Sequence, residues 1–405
     1  MKHIIVGSGV AGVTAAQAIV RADPSTEVHL FGAESHPYYR RPQLWELIAG
    51  QVEKDALIFR PPDWYAGRGI HLHLGVRVAA LDSAAHTLAL SDDSTVEYER
   101  LLLAMGARSF VPPCEGTDKE GVFTLRTMED ALAIKQHAHE VSVAVVVGGG
   151  LLGLETARAL HAADLDVTVV EFSSHLLPRQ LDAEGAEVLR SLLEAQGLRI
   201  ITGGATEAIT GDERADGVRL KDGREVPGEL VLFSTGIRSE VTLAQEAGLE
   251  VNRGVVVDGH LRTSAADVFA AGDAAEFAGR VYGIIPAAIE QARVAAANMV
   301  ELGSSTYTGT LASTTLKIAG AELASLGEST VEGGAYTQLR RADVAAGHYR
   351  KFVLREGRIV GAILLNDKER ARPVTRLIER GVDVSAYADC LLDDDFDLRT
   401  LLREV

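Results

Sequence analysis

The sequence predicts an α/β protein with two tandem Rossmann-like domains, followed by a C-terminal α+β domain. Two glycine-rich turns predict the tandem domains: one begins at Gly7 and the other at Gly148, 141 residues later. Each turn follows a short apolar run and precedes a helical stretch, which is the order of a βαβ unit. Strand-like runs at residues 314–318, 351–354 and 359–365 predict the C-terminal domain. A length of 405 residues suits two to three domains.

The first unit begins with an apolar run at residues 3–6, which leads into Gly7-Ser8-Gly9-Val10-Ala11-Gly12. A helix and a second strand at 27–31 follow, and Glu34 comes 22 residues after the last glycine. This spacing is typical of a dinucleotide site, in which the turn approaches a pyrophosphate and the acid accepts hydrogen bonds from a ribose. The helix N-terminus adds N–H groups and partial positive charge. We therefore expect a dinucleotide at Gly7, Gly9, Ala11, Gly12 and Glu34.

The second unit repeats this pattern. A strand at 143–147 leads into Gly148-Gly149-Gly150-Leu151-Leu152-Gly153, a helix runs through Ala163, and a strand at 167–170 ends at Glu171. A carboxylate at this strand end bonds a ribose 2′-hydroxyl and repels a 2′-phosphate, so NADH is expected over NADPH. His175 and Arg179 leave the strictness of that preference open. The expected binding residues are Gly148, Gly150, Leu152, Gly153 and Glu171.

Four further segments carry a family resemblance. They are Leu102-Leu103-Ala104-Met105-Gly106, Ser234-Thr235-Gly236, Val268-Phe269-Ala270-Ala271-Gly272-Asp273 and Ile285-Pro286-Ala287-Ala288-Ile289-Glu290-Gln291. With the two glycine turns, they resemble the FAD-dependent pyridine nucleotide oxidoreductases, in the branch of the NADH:rubredoxin reductases and nitrite reductase flavoproteins. The resemblance implies FAD at the first unit and NADH at the second. It implies these further cofactor-binding residues: Arg41, Pro42, Val78, Ala104, Gly106, Arg126, Gly236, Gly272, Asp273, Pro286 and Ala288.

The resemblance also implies a domain division and two catalytic residues. Residues 1–110 and 238–306 would bind FAD, residues 111–237 would bind NADH, and 307–405 would form a C-terminal interface domain. Glu155, two residues past Gly153 and expected in the first helical turn, would lie near the nicotinamide. The segment from Arg41 to Glu46 resembles one that passes the flavin, but Glu46 replaces the family's lysine. Lys317, and alternatively Arg126, is the candidate to supply the missing positive charge.

Composition excludes several classes of function. The net charge of −17 argues against nucleic acid or an anionic membrane as the main partner. Only two cysteines occur, Cys114 and Cys390, and neither belongs to a CxxC pair. The sequence therefore lacks an adjacent redox dithiol and a cysteine framework for zinc or iron–sulfur, and no metal site is expected. Peroxide and disulfide reductases that this chain resembles carry one redox cysteine after the first strand pair. Since no cysteine occurs at 32–50, the resemblance argues against single-cysteine peroxide or disulfide reduction. A cytoplasmic location is expected.

The expected function is that of an NADH:acceptor oxidoreductase. FAD would take hydride from NADH and pass electrons to a small iron–sulfur protein, with rubredoxin preferred over ferredoxin. One alternative is an NADH oxidase, or a diaphorase component of a nitrite-reducing system; another is an NADH-sensing binding module. A monomer or a homodimer is expected. An acidic carrier would dock on a basic cluster, for which the candidates are Arg40 with Arg41; Arg340, Arg341, Arg350 and Lys351; and Lys368, Arg370 and Arg372.

Overall fold

The computed structural model describes residues 1–311, 313–318, 320–331 and 333–402, and gives side chains for all of these except 313–318. The α-helices in this part of the chain are α1 (Val10–Ala22), α2 (Leu44–Ile48), α3 (Pro62–Ala66), α4 (Met128–Ala138), α5 (Leu151–Ala162), α6 (Ala183–Glu194), α7 (Thr242–Glu246), α8 (Ile285–Val300) and α9 (Lys368–Arg380). Among the described residues, no helix combines the length and apolar character that crossing a bilayer requires.

The strands divide into parallel and antiparallel sheets. They are β1 (Lys2–Val6), β2 (Glu27–Gly32), β3 (Ile70–Leu74), β4 (Val78–Asp82), β5 (Thr87–Leu90), β6 (Thr95–Glu97), β7 (Arg100–Leu103), β8 (Ala107–Ser109), β9 (Val122–Thr124), β10 (Val143–Val147), β11 (Asp166–Glu171), β12 (Arg199–Thr202), β13 (Thr206–Thr210), β14 (Gly217–Leu220), β15 (Glu225–Pro227), β16 (Leu230–Phe233), β17 (Ile237–Ser239), β18 (Val255–Val257), β19 (Val268–Ala270), β20 (Ala275–Phe277), β21 (Ser313–Ile318), β22 (Ala321–Gly327), β23 (Thr337–Asp343), β24 (His348–Arg355) and β25 (Arg358–Leu365).

The first of two structural units contains a five-stranded parallel sheet in the order β19-β7-β1-β2-β3. This unit comprises Met1–Gln43, Val52–Ser109 and Ile237–Thr310. Helices α1 and α8 pack against each other in it. Val6 at the end of β1 pairs with Phe31 and with Leu103, so three strands end together. Because parallel strands that end together place their following loops side by side, the first glycine turn lies at this edge.

The second unit contains a parallel sheet of matching design, in the order β12-β11-β10-β16-β9. This unit comprises Leu44–Gln51, Phe110–Gly236 and Leu311–Val405. Val147 at the end of β10 pairs with Val170 and with Phe233, as Val6 does with its neighbours in the first unit. The domain-scale repeat and the α/β fold class are therefore confirmed.

The C-terminal part of the second unit is an antiparallel sheet, β21-β22-β25-β24-β23, packed against α9. The predicted C-terminal strands are confirmed as β21, β24 and β25. Helix α9 ends at Arg380, because the following Gly381 adopts a left-handed backbone conformation with φ of +60°. Two carbonyl groups later in the chain accept from arginines. Arg350 donates to the Leu392 carbonyl at 2.9 Å, and Arg370 donates to that of Leu391 at 3.1 Å.

A buried ion pair joins this sheet to α6 within the second unit. The Lys351 ammonium lies 2.9 Å from the Asp182 carboxylate, with the Lys351 side chain 2% exposed. The Tyr349 hydroxyl donates to the same carboxylate at 2.8 Å, and a Cβ atom placed on Gly185 would lie 2.8 Å from the Tyr349 ring. Asp182 is also the N-cap of α6 and accepts from the Gly185 N–H. The Asp182 carboxylate therefore caps the N-terminus of α6 and also binds two side chains of β24.

Candidate dinucleotide-binding sites

The first glycine turn has no room for a side chain at two of its three glycines. Gly7 has a φ of +112°, and a Cβ atom there would lie 2.1 Å from the Ala104 carbonyl oxygen. A Cβ atom on Gly12 would lie 1.9 Å from the Gly7 carbonyl oxygen. A Cβ atom on Gly9 would meet nothing within 4 Å. Two glycines are thus required by close packing, and the third faces open space.

The second glycine turn repeats this geometry. Gly148 has a φ of +119°, and its Cβ atom would lie 2.3 Å from the Ser234 carbonyl oxygen. A Cβ atom on Gly153 would lie 2.1 Å from the Gly148 carbonyl oxygen, whereas one on Gly150 would meet nothing within 4 Å. The two turns therefore have the same backbone geometry, with their first and last glycines closely packed and Gly9 and Gly150 facing open space.

Both open spaces fit the phosphates of a dinucleotide. Gly9 is the N-cap of α1 and Gly150 is the N-cap of α5, and neither receives a side-chain cap. No acidic residue lies in the first turn of either helix. The first N–H groups and the positive end of each helix dipole can therefore receive an anion.

The segment from Val268 to Asp273, which carries part of the family resemblance, lies beside the first glycine turn. A Cβ atom on Gly272 would lie 3.0 Å from the Cβ of Ala11 and 3.6 Å from that of Ala288, so the starts of α1 and α8 meet there. The Gly272 N–H donates to the Gln291 side chain at 2.8 Å. The Asp273 carbonyl accepts from the Ser239 hydroxyl at 2.6 Å. Sequence reasoning missed Ser239, because a serine alone gives no signal.

Glu34 and Arg41, predicted from separate motifs, form an ion pair. An Arg41 guanidinium nitrogen donates to Glu34 Oε1 at 2.6 Å, and the Tyr39 hydroxyl donates to Glu34 Oε2 at 2.5 Å. A carboxylate has about four lone-pair directions, so Glu34 keeps acceptor capacity for ribose hydroxyls. Buried Tyr39 was not predicted, although it directly precedes the Arg40-Arg41 pair.

Glu171 anchors the second turn. Its side chain accepts from the Gly149 N–H at 2.6 Å through Oε2, and from the Ser173 N–H at 2.7 Å through Oε1. Glu171 is 7% exposed, whereas the next residue, Phe172, is 75% exposed. His175 Nε2 lies 3.2 Å from the Leu181 carbonyl oxygen, which it can donate to. The carboxylate is therefore held at the strand end where the ribose of a dinucleotide is expected.

Glu155 lies where its ionisation is unfavourable. Burial, with a further contribution from the nearby Glu46 carboxylate, raises the pKa of Glu155 to about 7 against the opposing effect of Arg158. Because α5 begins at Leu151, Glu155 falls in the second helical turn, and the prediction that it lies in the first was wrong. A carboxyl group that titrates near neutral pH can hold or release a proton at a redox site.

The remaining predicted residues have varied surroundings. Gly106 and Gly236 have positive φ values of +75° and +98°. The Arg126 N–H donates to Asp130 at 2.8 Å, just before α4. Pro42 is exposed, Val78 is buried at the start of β4, Leu152 lies in the first turn of α5, and Pro286 opens α8. The side chain of Lys317 lies outside the described residues. The cofactor roles of all these residues stay predictions.

Several residues of the C-terminal basic clusters contact acids, and the docking role of these clusters stays a prediction. Lys351 is buried against Asp182, and the Arg350 side chain, 13% exposed, contacts Asp367 at 2.5 Å. Arg341 contacts Asp394 at 3.2 Å, and Lys368 contacts Glu322 at 2.6 Å. In the first unit, exposed Arg40 and half-buried Arg60 lie over the Phe59 ring at 5.0 and 4.3 Å.

Two family models match the chain. The model described as "Pyridine nucleotide-disulphide oxidoreductase" matches residues 1–297, which include both glycine turns and the Gly272-Asp273 fingerprint. The model described as "Rubredoxin NAD+ reductase C-terminal domain" matches residues 313–382. The second match covers all five strands of the antiparallel sheet and all of α9.

Individual relatives agree with these models. The chain is 35% identical to a nitrite reductase [NAD(P)H] of Bacillus subtilis, over 94% of this chain and 48% of that protein. It is 32% identical to the ferredoxin–NAD(+) reductase component of the biphenyl dioxygenase system of Paraburkholderia xenovorans, over 98% of both chains. Putidaredoxin reductase, solved in covalent complex with putidaredoxin, has a TM-score of 0.88 and 26% identity, over 100% of this chain and 98% of that one. The chain spans about half the length of the first curated relatives that it matches.

Proposed function

Because the chain belongs to the pyridine nucleotide-disulphide oxidoreductase family, we propose that it is an FAD-dependent enzyme that takes hydride from NADH and passes electrons to a small iron–sulfur protein. One observation carries this proposal: the two glycine turns have the same backbone geometry, and each faces open space at an uncapped helix N-terminus. Two such turns in one chain can bind two dinucleotides.

The proposed division assigns residues 1–110 and 238–306 to FAD, 111–237 to NADH, and 307–405 to an interface domain. Gly7 to Gly12, Glu34 and Asp273 would hold FAD, which supplies the hydride-accepting and one-electron chemistry. Gly148 to Gly153 and Glu171 would hold NADH. We further propose a cytoplasmic location, since both described cysteines are free thiols. The proposed oligomeric state is a monomer or a homodimer.

Glu155 is the proposed proton-holding residue near the nicotinamide. Its raised pKa, to about 7, lets it exist in both protonation states at neutral pH. Glu46 contributes to this rise, and Arg158 opposes it. Glu46, which stands where the resemblance implies a lysine, therefore raises the pKa of Glu155.

Rubredoxin is the proposed first acceptor, and ferredoxin the second. The match of residues 313–382 to a rubredoxin reductase C-terminal domain supports rubredoxin, and the ferredoxin reductase relative supports ferredoxin. Since Arg341, Arg350 and Lys351 have acidic partners, the proposed docking surface is the Arg40-Phe59-Arg60 patch, which offers positive charge beside an exposed ring.

A role in supplying electrons to nitrite reduction is the second candidate. The 35% identity to a nitrite reductase favours it, and the chain would then act as the NADH-oxidising portion of a larger system. No cysteine framework for an iron–sulfur cluster occurs in the sequence, so nitrite itself would react elsewhere.

The deciding experiment separates the two half-reactions in a stopped-flow spectrometer. Protein reconstituted with FAD should show flavin absorbance, and anaerobic NADH should bleach it. Rubredoxin, ferredoxin or oxygen is then mixed with the reduced protein. Fastest reoxidation by rubredoxin supports the proposal; fastest reoxidation by oxygen would make the protein an oxidase, and failure to retain FAD would refute both.

Docking is tested by charge reversal. Arg40→Glu with Arg60→Glu should slow carrier reduction and weaken its dependence on ionic strength, because a salt-screened attraction has been removed. Arg341→Glu is the matched control, since Arg341 already has an acidic partner. If the double variant and the control reduce the carrier equally well, the patch is not the docking surface.

A further inference from the structure

A group of histidines gathers on one face of the first parallel sheet. Strands β2 and β3 pair in parallel, with His29 opposite His71 and Phe31 opposite His73. Alternate residues of a strand share a face, so Glu27 and His29 of β2 lie on the same side as His71 and His73 of β3. β3 is the edge strand of its sheet. The sheet register therefore brings together one carboxylate and three imidazoles.

The distances within this group suit a shared cation. Glu27 Oε1 lies 2.7 Å from His29 Nε2, and one ligand atom from each of Glu27, His29 and His71 lies within 4.8 Å of the others. The His29 and His71 rings are stacked with centroids 4.7 Å apart. The Glu27 side chain is 53% exposed, whereas that of His29 is only 15% exposed. The half-buried His29 is thus held in place by the fold, whereas the exposed Glu27 and His71 side chains can change conformation.

We propose that Glu27, His29 and His71 form a binding site for a divalent transition-metal ion of the zinc type. Imidazole nitrogen and carboxylate oxygen are ligands that Zn²⁺ takes in proteins, with water able to fill a fourth position. Tetrahedral coordination needs ligand atoms roughly 3.4 Å apart, given metal–ligand distances of roughly 2.0–2.2 Å. Exposed Glu27 and His71 reach that spacing by rotating their side chains.

His73 completes the site as an orienting residue. Its Nε2 lies 3.0 Å from His29 Nδ1. A hydrogen bond from His29 Nδ1–H to His73 leaves the lone pair of His29 Nε2 directed towards the metal, which is the arrangement common around protein-bound metals. The His73 ring also stacks on Phe31 with centroids 4.4 Å apart, so its own position is fixed.

The site is separate from the proposed cofactor chemistry. Glu27 begins β2, whereas Gly32 ends it, five residues further on and roughly 17 Å away along the strand. The glycine turns lie at the carboxyl ends of the strands. Since zinc has no redox chemistry, the metal would fasten the edge strand β3 to β2 and raise stability. The expectation of no metal site came from the cysteine count, which says nothing about histidines on paired strands.

The test is calorimetric titration of ZnCl₂ into the chelator-treated, FAD-loaded full-length protein, with MgCl₂ as a comparison. Wild type should bind one Zn²⁺ and no Mg²⁺, and zinc should raise the melting temperature by mass action. His71→Ala should weaken zinc binding at least tenfold, and His73→Ala should weaken it roughly tenfold. His139→Ala, which removes an exposed histidine at the end of α4, is the matched control and should bind as wild type does.

Zinc K-edge X-ray absorption on the loaded protein provides an independent readout, with two imidazole ligands expected. Absence of stoichiometric zinc binding would overturn the proposal. So would equal zinc affinity in the His71→Ala and His139→Ala variants, because His71 would then not be a ligand of the bound zinc. Retained flavin absorbance in each variant shows that it has folded.

Discussion

Glu171 Oε2 accepts a 2.6 Å hydrogen bond from the backbone N–H of Gly149. The acid expected to select the nicotinamide cofactor therefore also holds the middle of the glycine turn expected to bind its pyrophosphate. Ribose selection and turn geometry depend on one buried carboxylate. A change at this carboxylate should disturb both.

Replacing Glu171 with Gln should reduce the preference for NADH. The Gln amide has one acceptor oxygen, so it can keep only one of the hydrogen bonds from the Gly149 and Ser173 N–H groups, and the charge that repels a 2′-phosphate is lost. A charge-assisted hydrogen bond contributes roughly 1.5–3 kcal/mol, so the NADH to NADPH ratio of kcat/KM should fall roughly tenfold to a hundredfold. Steady-state kinetics with both cofactors measures this. Exposed Glu225→Gln is the control, and an unchanged ratio in Glu171→Gln would contradict the assignment.

Alanine at Gly9 should weaken FAD binding, whereas alanine at Gly12 should lower the stability of the apoprotein. Gly9→Ala adds a methyl group to open space, so the apoprotein should unfold as wild type does, but FAD affinity should fall at least tenfold because the phosphate approach is blocked. Gly12→Ala places Cβ 1.9 Å from the Gly7 carbonyl oxygen, and should destabilise the apoprotein by about 1–3 kcal/mol or more. Urea unfolding and flavin fluorescence quenching measure the two properties. Equal FAD affinity in Gly9→Ala and wild type would exclude this turn as the FAD site.

Glu155 should make stability depend on pH near neutrality. Its folded-state pKa of about 7 exceeds the ordinary value of 4.5, so the folded protein binds the extra proton between these values and loses stability as the pH rises through them. Thermal unfolding of wild type, compared with Glu155→Gln, should show this loss between pH of about 5 and about 8.

Glu46→Lys should move that loss to lower pH, because a like charge beside Glu155 is replaced by an opposite one. Exposed Glu213→Lys controls for the change in net charge. If Glu155→Gln follows the same pH profile as wild type, the carboxyl does not titrate in this range.

Asp182 should be a strong determinant of stability in the second unit. Burial opposes its ionisation, but hydrogen bonds from Lys351, Gly185 and Tyr349 outweigh that effect and lower the pKa of Asp182. Asp182→Asn keeps a side chain that can cap α6 but leaves the Lys351 ammonium buried without its counter-charge, which should cost about 3 kcal/mol. Adding Lys351→Met should recover part of that loss.

Urea unfolding of both variants measures the two changes. Asp222→Asn is the comparison, since its partner Arg224 lies at the surface and exposed ion pairs contribute little. Additive losses in the double variant would show that Asp182 and Lys351 are not coupled.

Local patterns predicted the parts of this protein that local sequence determines. The glycine turns, their strands and helices, and the two strand-end acids follow from spacing within about 35 residues of one another. The pairing of the C-terminal arginines did not, because partners such as Asp182 and Asp394 lie far away in the chain. The cross-strand neighbours His29 and His71 were missed for the same reason, since a parallel register is invisible to a single segment.

The bond between Asp182 and the C-terminal sheet restricts how this protein can be recombined with its relatives. A chimera that replaces residues 311–405 would leave the Asp182 carboxylate without Lys351 and Tyr349, and would remove the Tyr349 ring that packs on Gly185. An exchanged C-terminal segment should therefore fold best when its donor supplies tyrosine and lysine at the two facing positions of the β24 equivalent. A C-terminal segment from a donor without this tyrosine and lysine would need to be moved together with its own α6.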